Sequence, residues 1–129
     1  MIILDTHIWI WWANNNSRLN SAQRSHIAEH QSSGLGISII SCWEIAKAVE
    51  TKGLQLTLPV EDWLNTAIAY PGIQLLPLTL PIVVESTRLH GFHKDPGDQL
   101  IVATSRIYNA PLLTADTKIL IYPGAATLP

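Results

Sequence analysis

At 129 residues, 47% hydrophobic and 14% charged, the chain has the size of one domain and enough apolar residues to bury a core, which excludes a disordered polymer. A net charge of −2 argues against strong non-specific nucleic-acid binding through a basic surface, while leaving room for a nuclease whose metal ions meet the phosphate. The one cysteine, Cys42, excludes an internal disulfide and a Cys-rich zinc site. The opening MIILD has neither the basic region of a signal peptide nor the length of a membrane span, so a cytoplasmic protein is expected.

Ile2-Ile3-Leu4, ending in Asp5, reads as a buried parallel strand. An aromatic helix with Trp9, Trp11 and Trp12 follows and breaks at Asn14 to Ser17. Ser21 is expected to cap a polar helix through about Gln31, and Gly36 to Ile40 to form a second strand. Ser41 then begins a helix in which Cys42, Ile45, Ala46 and Val49 make an apolar face, ended by Gly53. Pro59 to about Tyr70 reads as a helix, Pro71-Gly72 as a turn, Ile73 to Leu76 as a third strand and Leu80 to His90 as a helix. Asp95 caps the next helix, with Pro96 at its first position and Asp98 in its first turn; the run Leu100 to Ala103 buries it, and it ends near Asn109. Pro111 to Thr114 reads as a fourth strand, and the last residues as loop or a short edge strand. Strands alternating with helices predict an α/β domain over residues 1–129, with a central parallel sheet of four to five strands and helices on both faces.

Asp5 and Asp116 come just after apolar strands, and Glu44 and Asp98 lie in the first turns of helices. In an open α/β sheet these positions share one edge, where ligands bind. Four of the ten acidic side chains are thus expected to converge. Carboxylates packed together resist ionising, and Mg²⁺ or Mn²⁺ relieves the repulsion, because these ions prefer carboxylate oxygen. Two such ions, roughly 3.5–4 Å apart, stabilise the attacking and leaving oxygens of a phosphodiester. Each acid also has a structural explanation. Ser41-Cys42-Trp43-Glu44 has the spacing of a capping box, and Glu44 can pair with Lys47; Asp95 and Asp116 suit N-caps, and Asp98 suits the acidic partner of a box. Asp5 is the hardest to explain in this way, since an acid ending a buried strand needs a partner.

Four segments together resemble a known family: Leu4-Asp5-Thr6-His7 with Trp11, SIISCWEI from Ser38 to Ile45, HKDPGDQLIVA from His93 to Ala103, and Leu113-Thr114-Ala115-Asp116. The chain resembles, over nearly its whole length, a PIN-domain ribonuclease of the VapC toxin type. The resemblance implies a PIN-like fold and a metal-dependent endoribonuclease in which metal-bound water attacks phosphorus, leaving a 5′-phosphate and a 3′-hydroxyl. It implies that Asp5 and Asp98 are the principal ligands of Mg²⁺ or Mn²⁺, that Glu44 and Asp116 complete the cluster or orient the water, and that Thr6 and Thr114 support the carboxylates. It also implies an RNA substrate, a cognate antitoxin and a homodimer. Gln99 stands where many relatives carry Arg, which leaves one positive charge fewer beside the site.

Trp9, Trp11 and Trp12 cannot all face one core, so some are expected in the core and the remainder at a dimer or antitoxin surface. His90 and His93 lack a third ligand and read as loop histidines, and His7 reads as structural. Lys47, Lys52, Lys94 and Arg106 are candidates for phosphate contact, with solvated surface charge the commoner role. Rival folds fit less well. A receiver domain of two-component signalling needs paired acids after the first strand and a mid-chain phospho-acceptor Asp. A haloacid-dehalogenase-like phosphatase needs an Asp where His7 stands, and dinucleotide binding needs a Gly-rich turn. A non-catalytic PIN-like binding module is the remaining alternative.

Overall fold

In a computed structural model, which describes residues 1–129, β1 (Ile2–Leu4), β2 (Leu35–Ser38), β3 (Ile73–Leu76) and β4 (Leu112–Leu113) form one parallel sheet in the order β3-β2-β1-β4. The register pairs Ile3 with Gly36 on one side and with Leu112 on the other. Successive residues of a strand point to opposite faces. Ile2 and Leu4 therefore enter one core with Leu35, Ile37 and Leu113, while Ile3 enters the other with Leu112 and Leu76. With both faces covered, β1 carries no polar residue, as a central parallel strand should not.

The first face is covered by α1 (Thr6–Ala13), α2 (Ser21–His30), α3 (Ile39–Glu50) and α4 (Val60–Ile68), through Ile8, Trp9, Ile27, Ile45 and Trp63. The second is covered mainly by α6 (Pro96–Tyr108) and α7 (Thr117–Leu120), through Ile101, Val102 and Ile119, with α5 (Leu80–Ser86) alongside. No helix is long and apolar enough to cross a membrane.

Three boundaries differ from the sequence expectation. The second strand stops at Ser38, and α3 starts at Ile39, not Ser41: the Ser38 hydroxyl accepts from the Ile40 N–H (3.2 Å) and caps the helix two residues early. Ser41 and Glu44 are thus helix interior, and no capping box joins them. Asn20, not Ser21, caps α2, in a reciprocal box with Gln23 (2.8 and 2.9 Å). α5 ends at Ser86, where the Ser86 and Thr87 hydroxyls turn back onto the carbonyls of Val83 and Val84. Because every strand is parallel, Asp5 after β1, Thr114 to Asp116 after β4 and the start of α3 after β2 lie along one sheet edge, which the N-terminus of α6 closes.

Candidate metal centre

Asp5 is 3% exposed and firmly held. Its Oδ1 accepts from the Thr6 N–H (2.8 Å), which starts α1, and its Oδ2 accepts from the Thr114 hydroxyl (2.7 Å). The same Thr114 oxygen accepts from the Asp116 N–H (3.0 Å), so one threonine joins β1 to the loop after β4. Asp116 caps α7 through the Lys118 N–H (2.8 Å). His7 ties down the same loop: its Nε2 accepts from the Ala115 N–H (2.9 Å). That bond requires a bare Nε2, so the neutral ring carries its proton on Nδ1, 3.7 Å from Asp5 Oδ2. Packed against Trp11 with centroids 5.0 Å apart and the rings tilted by 59°, His7 is structural.

Glu44 lies one turn further into α3 than a capping partner would, and α3 turns it toward the acids. Its Oε1 is 2.6 Å from Thr6 Oγ1, which is itself 2.8 Å from Ser41 Oγ. A threonine has one hydroxyl proton. Given to the carboxylate, it leaves the Ser41 hydroxyl to donate to Thr6, so Ser41 and Thr6 form a relay that aims Glu44. Gly97 permits the close approach, because a Cβ there would stand 2.5 Å from Glu44 Oε2 and 3.2 Å from Asp95 Oδ1.

Asp95 caps α6, its Oδ1 accepting from the Asp98 N–H (3.0 Å). It does more than cap: Glu44, Asp95 and Asp98 each bring a carboxylate oxygen within 4.8 Å of the others. Asp5 and Asp116 stand outside that group but near enough to act on it. Burial first, and then the charges of Asp5, Asp95, Asp116 and Glu44, push the Asp98 carboxyl up to about 7. Burial also raises Glu44, with Asp5 and Asp95 adding to it and the Thr6 hydroxyl opposing. A hard divalent cation suits this donor set: the oxygens are all carboxylate, they converge, and two of the acids resist ionising through burial and the neighbouring negative charges.

Sequence reasoning treated Asp95 as a cap alone; its i, i+3 spacing to Asp98 at a helix start was the available signal. It also underrated His93. The His93 Nε2 sits 2.9 Å from Asp98 Oδ2, close enough for a charge pair though not aligned for a hydrogen bond. The Gln99 Nε2 donates to the His93 carbonyl (3.0 Å) and braces that loop. Of the cations considered for phosphate contact, Lys47 pairs with Glu50 (2.6 Å) and Arg106 with Glu85 (2.8 Å).

A family profile for the PIN domain matches residues 2–124. The chain belongs to the PIN-domain family. It is 30% identical over 119 residues to Ribonuclease VapC22 of Mycobacterium tuberculosis, an alignment spanning 92% of this chain and 88% of that protein. Its fold is similar to two solved toxin–antitoxin structures. One is VapBC2 from Rickettsia felis bound to a DNA fragment from their promoter (TM-score 0.74, 16% identity, 99% of this chain and 98% of that one). The other is DNA-bound VapBC from Salmonella typhimurium (TM-score 0.72, 18% identity, 99% and 98%).

Proposed function

We propose that this PIN domain is the ribonuclease toxin of a toxin–antitoxin pair. In this reading it is a single domain over residues 1–129 that hydrolyses RNA phosphodiesters at a Mg²⁺ or Mn²⁺ site made by Asp5, Glu44, Asp98 and Asp116, with Asp95 as a fifth acid. The observation that carries the reading is the meeting of Glu44, Asp95 and Asp98 within 4.8 Å, with an Asp98 that resists ionising, in a chain of this family.

A divalent ion bound there supplies positive charge for the phosphate oxygens and lowers the pKa of water. The chain's own residues do the remainder. Asp98 and Glu44 offer the least exposed oxygens of the three-acid group. Thr6, backed by Ser41, holds Glu44 to one orientation. Thr114 fixes Asp5 and, through the Asp116 N–H, the backbone that presents Asp116. Asp98 must give up its proton before it ligates, so the site is best formed above neutrality.

An antitoxin partner is supported by the toxin–antitoxin complexes whose fold this chain shares. Leu80 and Ile121, 77% and 80% exposed, leave apolar surface for that partner or for a second copy in a homodimer.

Incubating the purified protein with total RNA in Mg²⁺, Mn²⁺ or EDTA tests the reading. Expected are discrete fragments with 5′-phosphate ends that require metal and are absent with Asp5→Ala. Cleavage that persists in EDTA, or is equal in the variant, would overturn it.

A further inference from the structure

We propose that Trp43 is a nucleobase platform at the rim of the acid cluster, on which single-stranded RNA stacks one base beside the bond to be cut. The proposal rests on the ribonuclease reading above and names how that site holds its substrate.

Of the five tryptophans, Trp43 is the exposed one, with 58% of its surface open to solvent. Trp9 packs on Trp63, Trp12 on Tyr70 and Trp11 on His7, while Trp43 has no aromatic partner. It immediately precedes Glu44 on α3 and shares with it an open cavity of about 470 Å³, whose other walls are Ile40, Asp95, Pro96 and Gly97. The cavity is therefore lined by a large aromatic ring and by two of the three clustered carboxylates, Glu44 and Asp95.

A nucleotide matches that lining. Its phosphate belongs with the cation the acids would hold, and its base is a flat, weakly polar ring. No lysine or arginine lines the cavity, and Lys47 and Arg106 are occupied by Glu50 and Glu85; Lys94, exposed beside Asp95, is the cation nearest in sequence to the cluster. Within the cavity itself stacking is the contact on offer to a base, and the unpartnered indole is the surface that provides it. A base inside a duplex already stacks on both faces, so this platform selects unpaired RNA. A second copy of the chain is the less suitable occupant: an apolar surface seated on Trp43 would also cover Asp95 and Glu44 and strip water from carboxylates with no cation to meet them.

The test uses a short single-stranded RNA taken from the mapped cleavage site, cut by the wild-type protein, Trp43→Phe and Trp43→Ala in Mn²⁺. Each base of the RNA is replaced in turn by an abasic nucleotide. Stacking on an aromatic side chain accounts for roughly tenfold in affinity. Trp43→Ala should therefore raise KM about tenfold with a much smaller change in kcat, and Trp43→Phe should recover most of the loss. One abasic position should raise KM for the wild type and leave Trp43→Ala indifferent. An unchanged KM in Trp43→Ala overturns the inference, as does equal sensitivity of both proteins at every abasic position. So does a halved mass of Trp43→Ala by light scattering, which would assign this face to a second copy. A wild type that cuts no RNA in any metal defeats the ribonuclease reading itself, an outcome distinct from an active enzyme indifferent to Trp43.

Discussion

Replacing Asp98 by Asn should stabilise the metal-free protein at pH 8 and weaken its response to metal. In the folded chain Asp98 keeps its proton up to about pH 7, whereas the unfolded chain releases it near 3.8. Between those values the folded state binds more protons, so stability is full below about pH 4, falls as pH rises toward 7 and is level above it. A difference of roughly three pH units corresponds to about 4 kcal/mol before screening. The side chain is 17% exposed, and counterions reach it, so we take about half, or roughly 2 kcal/mol. For a domain of this size that is about 6–8 °C in melting temperature. Asparagine keeps the shape without the charge. Thermal melts of both proteins in EDTA at pH 5, 6, 7 and 8 isolate the effect, because every other titrating group is common to the pair. The wild type should lose ground to Asp98→Asn from pH 5 to about pH 7, hold level to pH 8, and regain it there when Mn²⁺ is added. Parallel curves, or a variant less stable than the wild type at pH 8, would mean that the Asp98 charge costs the metal-free fold nothing.

Gly97→Ala should push Glu44 out of the cluster, since the new methyl would lie 2.5 Å from its Oε2; Mn²⁺ affinity should fall at least tenfold while the melting temperature changes little, both read on one sample. Thr6→Val removes the donor that opposes the rise in the Glu44 pKa, so urea denaturation should show a loss of about 1 kcal/mol. In the same variant, metal affinity should weaken most below neutrality, seen by titration at pH 6 and 8. Gln99→Arg should leave kcat/KM within about twofold in an RNA cleavage assay, because position 99 serves the His93 carbonyl and its donor is retained.

What could be read from the sequence follows from how local each feature is. Ile2-Ile3-Leu4 and Ile73 to Leu76 are strands because apolar runs bounded by turns have few alternatives, and both appear where expected. Asp95-Pro96 marks a helix start by chemistry confined to four residues, and Asn109 at φ 50° ends that helix as a left-handed cap. The start of α3 was misread for a competing local reason. Ile39-Ile40 favours a strand, and Ser41 with Glu44 imitates a capping box, but packing on both cores extends the helix back to the Ser38 cap. The four acids could be placed on one edge by topology. Their partners could not: Thr6 reaches Glu44 across 38 positions, and Thr114 reaches Asp5 across 109. Gln99 stood out in the sequence only as a missing positive charge beside Asp98; its bond to the His93 carbonyl is a contact with the preceding loop that the sequence does not encode.

A calorimetric titration with Mn²⁺ asks whether these carboxylates hold a divalent cation. Wild type, Asp98→Asn and Glu44→Gln would be compared at pH 6.5 in two buffers of different ionisation enthalpy. Expected are saturable binding to the wild type with release of a proton, seen as a buffer-dependent heat, and binding weakened by a factor of ten or more in either variant. Equal affinity in all three proteins, or no binding to the wild type, would contradict a metal site at these carboxylates.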